Sequence, residues 1–305
     1  MFAYNRPDHT RRTLDALAEN TLAQDSELFI YLDGPRTSAD NATLEAIAEV
    51  RKIANAENRF ASTSVVASEV NQGLAQAVIA GVTATVNRYG KAIIMEDDLI
   101  SSPAFLRFMN DALYFYASAE TVSCISGYVY PLKDALPSTY FIKGADCWGW
   151  ATWKRAWDKF EPDGKKLYRE LTQRKLIHEF DFGGTFPYSK MLEEQIAGRN
   201  SSWAIRWYAS AFLQQMFTLY PAKSFIRNIG IDGSGTHSGR HNYWHIEHLE
   251  TEYHFAEGGT VESAEAKESF ARYFKQLSRK SLRKRLGQLA KALLRRFGAR
   301  TARTN

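Results

Sequence analysis

Over the first hundred residues, short apolar runs alternate with helix-length amphipathic stretches four times, and few folds accommodate that order. Phe2-Ala3-Tyr4 reads as the end of a strand and Asn5-Arg6-Pro7-Asp8 as a turn. A helix follows from His9 to Glu19, with Leu14, Leu17 and Ala18 on one face. Leu28 to Leu32 is a second strand, stopped by Asp33-Gly34-Pro35. Asn41 to Ala54 is a helix with Leu44, Ile47, Val50 and Ile53 inward. Ser64 to Ala67 is a third strand, Asn71-Gln72-Gly73 a turn, and Leu74 to Arg88 a helix. Ala92 to Met95 is a fourth strand, apolar enough to be buried on both faces. The alternation predicts a parallel α/β sheet with ligand sites at its C-terminal strand ends. Its first strand is short: three residues are available where about 5–6 are usual. The expectation is an unusually short strand or a natural start upstream of Met1.

Glu96, Asp97 and Asp98 follow the fourth strand at once. Ser101-Ser102-Pro103 then opens a helix running to Ala117. An acidic helix N-terminus would account for such residues by itself. Three adjacent carboxylates at a strand end also repel one another, unless a cation or hydrogen-bond donors share them. Hard oxygen ligands suit Mg²⁺ or Mn²⁺, and these ions suit a diphosphate.

Beyond Asp98 the alternation ends. Cys124 to Ser126 and Tyr140 to Ile142 read as strands in a mixed region. Trp148-Gly149-Trp150 beside Asp146, with Trp153 and Trp157 close behind, is the make-up of a core or of a platform for sugar rings. Leu167 to Ile177, Tyr188 to Ile196 and Ser202 to Gln214 read as helices, and Leu219-Tyr220-Pro221 and Ser224-Phe225-Ile226 as buried segments. Asn228 to His237 carries three glycines within six residues, so its backbone can approach a ligand closely. Its His237 is a candidate neutral nitrogen ligand for a divalent ion. Cys124 and Cys147 form no metal-type cluster and are expected as free thiols.

Charge divides the chain. The segment from Ser269 to Asn305 holds 12 of the 39 Lys and Arg residues and no acid. The remaining 27 bases face 34 acids, so the body carries −7. That is not the balance of a nucleic-acid-binding core. In the tail, Phe270, Phe274, Leu277, Leu282, Leu286, Leu289 and Leu293 recur at near-helical spacing among the bases. A basic amphipathic helix lying on an anionic membrane surface fits both features. The chain has no apolar run long enough to span a bilayer, and no apolar signal segment at its N-terminus. The expected location is cytoplasmic, peripheral on the inner face of the plasma membrane.

Tyr4-Asn5-Arg6-Pro7, Tyr31-Leu32-Asp33-Gly34, Asn71-Gln72-Gly73-Leu74-Ala75 and Glu96-Asp97-Asp98-Leu99 occur in that order, each at a strand end. Together they resemble a nucleotide-sugar glycosyltransferase of the GT-A fold, of the N-acetylglucosaminyltransferase I group and its bacterial relatives. The resemblance spans roughly residues 2–240. It implies a Rossmann-like mixed sheet with helices on both faces, covering residues 1–260. Residues 1–100 would form the nucleotide-binding half and 101–260 the acceptor half, with 261–305 as the basic helical tail. By the same resemblance Asn5, Arg6 and Asp33 hold the nucleoside, Asp33 on the base edge. Gln72 and Gly73 lie near the ribose and diphosphate. Asp98 binds the metal, Glu96 and Asp97 face the donor sugar and ribose, and His237 belongs to a late loop that approaches the diphosphate. The expected partners are a donor, UDP-linked in this reading, and a glycan or lipid-linked acceptor.

The group places its catalytic base as an Asp between two tryptophans on a later helix. Here the corresponding Trp203-Ala204-Ile205-Arg206-Trp207 holds no acid. Asp146, Glu193, Glu194 and Asp232 are the alternatives, with Glu194 favoured for its place shortly before Trp203. A sugar nucleotidyltransferase would begin with a glycine-rich phosphate loop, which Asn5-Arg6-Pro7-Asp8 is not. A non-catalytic sugar-nucleotide-binding or scaffold protein of the same fold is the further alternative.

Overall fold

The computed structural model describes residues 1–232, 244–255 and 259–278. The first half runs β1 (Phe2–Ala3), α1 (Pro7–Ala18), β2 (Glu27–Leu32), α2 (Asn41–Ala56), β3 (Ser62–Ala67), α3 (Leu74–Tyr89) and β4 (Lys91–Ile94). After it come β5 (Leu99–Ser101), α4 (Phe105–Phe115), β6 (Val122–Ser126), β7 (Thr139–Lys143), β8 (Trp150–Trp153) and α5 (Lys154–Trp157). A helical layer follows, α6 (Gly164–Gln173), α7 (Ile177–Phe180), α8 (Tyr188–Ile196) and α9 (Trp203–Leu213), then β9 (Phe217–Pro221) and β10 (Ile226–Asn228). The described part ends in a helix, α10, over 264–278.

The strands form a mixed sheet. β1, β2 and β3 pair in parallel. β4, β8, β6, β9 and β7 form a second ladder in that order, in which β8 is antiparallel to both β4 and β6. Phe2 joins the two ladders: its N–H donates to the Met95 carbonyl at 2.9 Å, and it bridges Glu96 in parallel. The expected run of four parallel strands therefore holds through β4, whose other neighbour is antiparallel.

β4 is covered on both faces, as its apolar run predicts. Ala92 and Ile94 pack with Val78, Val82 and Val86 of α3, and Met95 packs with α1 and α4 through Leu14, Leu17 and Phe105. Alternate residues of a strand face opposite sides, so one short run serves two cores. On α2, Ile47 and Val50 are buried but Leu44 is 42% exposed, outside the inward stripe expected for it. The helix expected over Leu167 to Ile177 is broken after Gln173, where Lys175 adopts φ +56°, and α7 is a separate turn. Phe270 and Phe274 of α10 are fully buried against Tyr130, Tyr140, Phe182 and Tyr220. The first turns of the expected membrane stripe thus face the body, and Leu282 to Leu293 lie outside the described residues. No helix among the described residues is long and apolar enough to cross a membrane.

Candidate functional site

The acidic turn sits where β4 ends, and Arg6 closes it from the β1–α1 turn. The Arg6 guanidinium pairs with the Asp97 carboxylate and stands 3.0 Å from Asp98 Oδ2. α1 helps to hold the turn: Thr13 Oγ1 donates to the Asp97 carbonyl at 2.8 Å, and Thr10 Oγ1 donates to the Arg6 carbonyl at 2.9 Å. Both threonines are buried on the inward face of α1, where apolar residues were expected. Burial, and then the charges of Asp98 and Asp97, push Glu96 up to about 8. Burial pushes Asp97 up to about 6 against the attraction of Arg6. Burial opposes the charge on Arg6 too, but the two aspartates outweigh it and raise its pKa. Carboxylates crowded around a single guanidinium repel one another, and a divalent cation would relieve that repulsion.

The loop after β10 closes on the same turn. β10 pairs with β5 from Ile226 opposite Ser101 to Asn228 opposite Leu99. Ile229 N–H then donates to the Asp98 carbonyl at 2.8 Å. Gly230 follows, and a Cβ there would stand 2.1 Å from Asp98 Oδ2 and 2.9 Å from Arg6 Nη1. Only a residue without a side chain lets the backbone come this close. Asp232 follows in this loop, with Oδ2 3.3 Å from His9 Nε2 and half its side chain exposed. His237, the second expected metal ligand, lies outside the described residues.

Among the described residues, no group of three or more His, Cys, Asp or Glu side chains could hold a metal ion by itself. Mg²⁺ is commonly held by one or two carboxylates and completed by phosphate oxygens and water, and Asp98 in this turn fits that chemistry.

Asp33 has a different role from the one expected. Its Oδ1 accepts the N–H groups of Gly34 at 2.9 Å and Gln72 at 2.8 Å. Its Oδ2 accepts Asn71 Nδ2 and the Gly73 N–H, both at 2.9 Å. A carboxylate offers about four lone-pair sites, so this one is fully engaged within the protein. Asp33 therefore fastens the Asn71-Gln72-Gly73 turn to the end of β2 rather than offering its carboxylate to a base edge. Gly73, at φ +78°, turns the chain into α3. Tyr4 and Asn5, half-buried, lie in the β1–α1 turn beside Arg6, and the Tyr4 N–H reaches the Asp97 carboxylate.

Asp146 is held by a phenol and by backbone donors. Tyr220 Oη donates to its Oδ2 at 2.8 Å, and the Cys147 N–H donates to its Oδ1 at 2.6 Å. Burial raises its pKa against these hydrogen bonds. Its charge acts on Tyr128, Tyr130 and Tyr188, which with Tyr220 surround it with phenols. The neighbouring Cys147 thiol, raised first by burial, also feels Asp146, Glu96 and Asp98, so this segment runs alongside the acidic turn. Glu194 lies on α8, which packs on α6, α7 and α9 in the helical layer. No hydrogen bond among the described residues ties it to the acidic turn.

The tryptophans separate. Trp148 is half-buried, with its ring against Tyr128 at 4.7 Å and Trp244 at 5.6 Å. Trp150 is fully buried among Trp157, Trp203 and Trp207 and presents no face to a sugar. Gly149 is buried too, and its carbonyl accepts the Gly127 N–H at 2.7 Å. Of the expected platform, Trp148 alone keeps exposed surface. Thr13 and Tyr220 were missed in the sequence, whereas the loop that holds Gly230 was marked there by its glycines. A buried-face threonine at a helical apolar position was the signal for Thr13, whereas nothing in the sequence links Tyr220 to Asp146.

No family model matches this chain, and no curated protein matches it.

Proposed function

We propose that this chain is a metal-dependent glycosyltransferase of the GT-A fold. It would move a sugar from a nucleotide-sugar donor, UDP-linked in our reading, to a glycan or lipid-linked acceptor in cell-surface polysaccharide synthesis. One observation carries this reading. Three carboxylates sit at a strand end, closed by Arg6 and by a glycine loop pressed against Asp98.

In this reading Asp98, with His237, would hold Mn²⁺ or Mg²⁺, and the ion would supply Lewis-acid charge for the leaving nucleoside diphosphate. Arg6 supplies a second positive charge at the same place. Glu96 and Asp97 face the donor sugar and ribose, and the Gln72-Gly73 turn, held by Asp33, borders the diphosphate. Asp146 takes the proton from the acceptor hydroxyl. Its raised pKa makes it a better base than an ordinary exposed carboxylate, and the Tyr220 hydrogen bond orients it. Trp148 borders the acceptor. A single in-line transfer with one base inverts the anomeric centre.

The basic segment supplies the place of work. Phe270 and Phe274 anchor α10 to the body. The bases from Arg279 onward then serve an anionic membrane surface, where lipid-linked acceptors are found.

The test is release of nucleoside diphosphate from a panel of UDP-, GDP- and dTDP-sugars, with Mn²⁺ or with chelator, together with calorimetric binding of the free nucleotides. Metal-dependent binding and turnover are expected, both lost in Asp98→Asn. Tight binding without turnover on any acceptor would favour a non-catalytic sugar-nucleotide protein. Absence of metal-assisted nucleotide binding would overturn the proposal.

A further inference from the structure

The Tyr220 hydroxyl meets Asp146 from a ring whose neighbours come from two distant elements. Tyr220 lies near the end of β9, opposite Tyr140 of β7. Their rings are stacked, 6.1 Å apart and 15° from parallel, so Tyr140 backs one face. Phe270 of α10 meets Tyr220 at 5.3 Å and 72°, an edge-to-face contact. All three side chains are buried. The hydroxyl is the far end of the side chain, so a tilt of the ring at Cβ moves it further than any other atom. The bond it donates to Asp146 Oδ2, 2.8 Å long, weakens steeply with such a change of distance and angle.

Phe270 is itself placed from several sides. Ser269 Oγ and Arg272 Nη2 both reach the Asp134 carboxylate, on the loop between β6 and β7, Arg272 at 3.0 Å. The helix is thus pinned to that loop before and after the ring. Tyr130 of the same loop meets Phe270 at 5.3 Å and 90°. Ser263 caps the start of α10: the Ala266 N–H donates to its Oγ at 3.2 Å and the Lys267 N–H to its carbonyl at 2.9 Å.

We propose that Phe270 is a positioning residue for Asp146: its ring, fixed to the loop between β6 and β7, holds the Tyr220 hydroxyl on the carboxylate that receives the acceptor proton. The inference rests on the proposed transfer for what Asp146 does, but not for where Tyr220 stands. It makes the C-terminal helix a part of the acceptor site instead of a tail beside it.

A titration of Asp146 reads this hydrogen bond. The titratable groups around it are the phenols of Tyr128, Tyr130, Tyr188 and Tyr220 and the Cys147 thiol, each raised by burial above its ordinary value. All of them stay neutral while a carboxylate titrates. The bond from Tyr220 favours the charged carboxylate, so loosening it raises the Asp146 pKa.

The test is a double-mutant cycle of Phe270→Leu and Tyr220→Phe. It is read in the full chain by the carboxyl ¹³C signal of Asp146, identified by its loss in Asp146→Asn. Tyr220→Phe should move the midpoint up by about one pH unit, and Phe270→Leu by about half a pH unit. The double variant should match Tyr220→Phe, because no hydroxyl is left for Phe270 to position. In the transfer assay Phe270→Leu should lower kcat about threefold on the acid limb and leave the donor KM within about a factor of two. A midpoint that stays in place in Phe270→Leu, even with a lowered Tm, reduces the residue to packing and overturns the proposal. So does a double variant whose shift is the full sum of the two. If Phe270→Leu does not fold, Phe270→Met, whose flexible chain refills the space without a ring, is read in the same way. If the carboxyl signal responds as expected while no nucleotide sugar is turned over, the positioning stands and the proposed transfer falls.

Discussion

Gly230 lies against Asp98 so closely that a Cβ at Gly230 would stand 2.1 Å from Asp98 Oδ2. The loop after β10 and the turn after β4 therefore shape one another, and the contact leaves no room for a methyl group. Gly230→Ala should displace the Asp98 carboxylate or the loop. We expect metal-assisted UDP affinity to fall about tenfold, a loss of about 1.4 kcal/mol, with Tm lowered by only a few degrees. Calorimetry with and without Mn²⁺, beside a melting curve, checks both. Unchanged affinity would remove this contact from the site.

Asp33→Asn separates the role found for this residue from the one its motif suggested. An amide has one acceptor oxygen, so at least two of the four hydrogen bonds that Asp33 accepts are lost. Bonds to a charged acceptor contribute about 1.5–3 kcal/mol each, so a stability loss of about 3 kcal/mol or more is expected. Chemical denaturation measures it. A variant of native stability with weakened nucleotide binding would return Asp33 to the base edge.

Asp146 and Tyr220 form a test of the base. Asp146→Asn should lower kcat at least 100-fold while leaving UDP affinity within a factor of two. In Tyr220→Phe the hydrogen bond that lowers the Asp146 pKa is gone, so that pKa rises further above the ordinary carboxylate range. A base works deprotonated, so the acid limb of the kcat profile should move to higher pH, with activity recovering as pH rises. A profile that stays in place would reduce Tyr220 to packing.

Two changes test the C-terminal helix and the bases that follow it. Phe270→Ala removes a fully buried ring from the aromatic cluster and should cost about 3–5 kcal/mol. Deleting 279–305 should leave Tm unchanged but abolish sedimentation with anionic vesicles, which should weaken with salt in the full chain. Vesicle binding that survives this deletion would place the membrane contact elsewhere.

Much of this was legible along the chain because it is local. Apolar period and turn residues located every strand and α-helix through β4, and α8 from Tyr188 to Ile196 to the residue. Side-chain chemistry in three consecutive positions marked Glu96, Asp97 and Asp98, and the position of these residues after a buried strand put them at a sheet end. What each acid does was not local. Asp33 and Asp146 are both aspartates near glycines or aromatics. One is fully engaged in holding a turn 38 residues away, while the other is desolvated and oriented by Tyr220, 74 residues on. Trp148 and Trp150 differ by two positions, but Gly149 at φ +58° turns the chain between them, and Trp157, Trp203 and Trp207 bury the Trp150 ring while Trp148 stays partly open. The sequence alone determined which elements form and which residue types meet at the strand ends, because propensity and periodicity act between near neighbours. Only the tertiary structure decided which carboxylates remain available, because that depends on donors and apolar surface brought from distant parts of the chain.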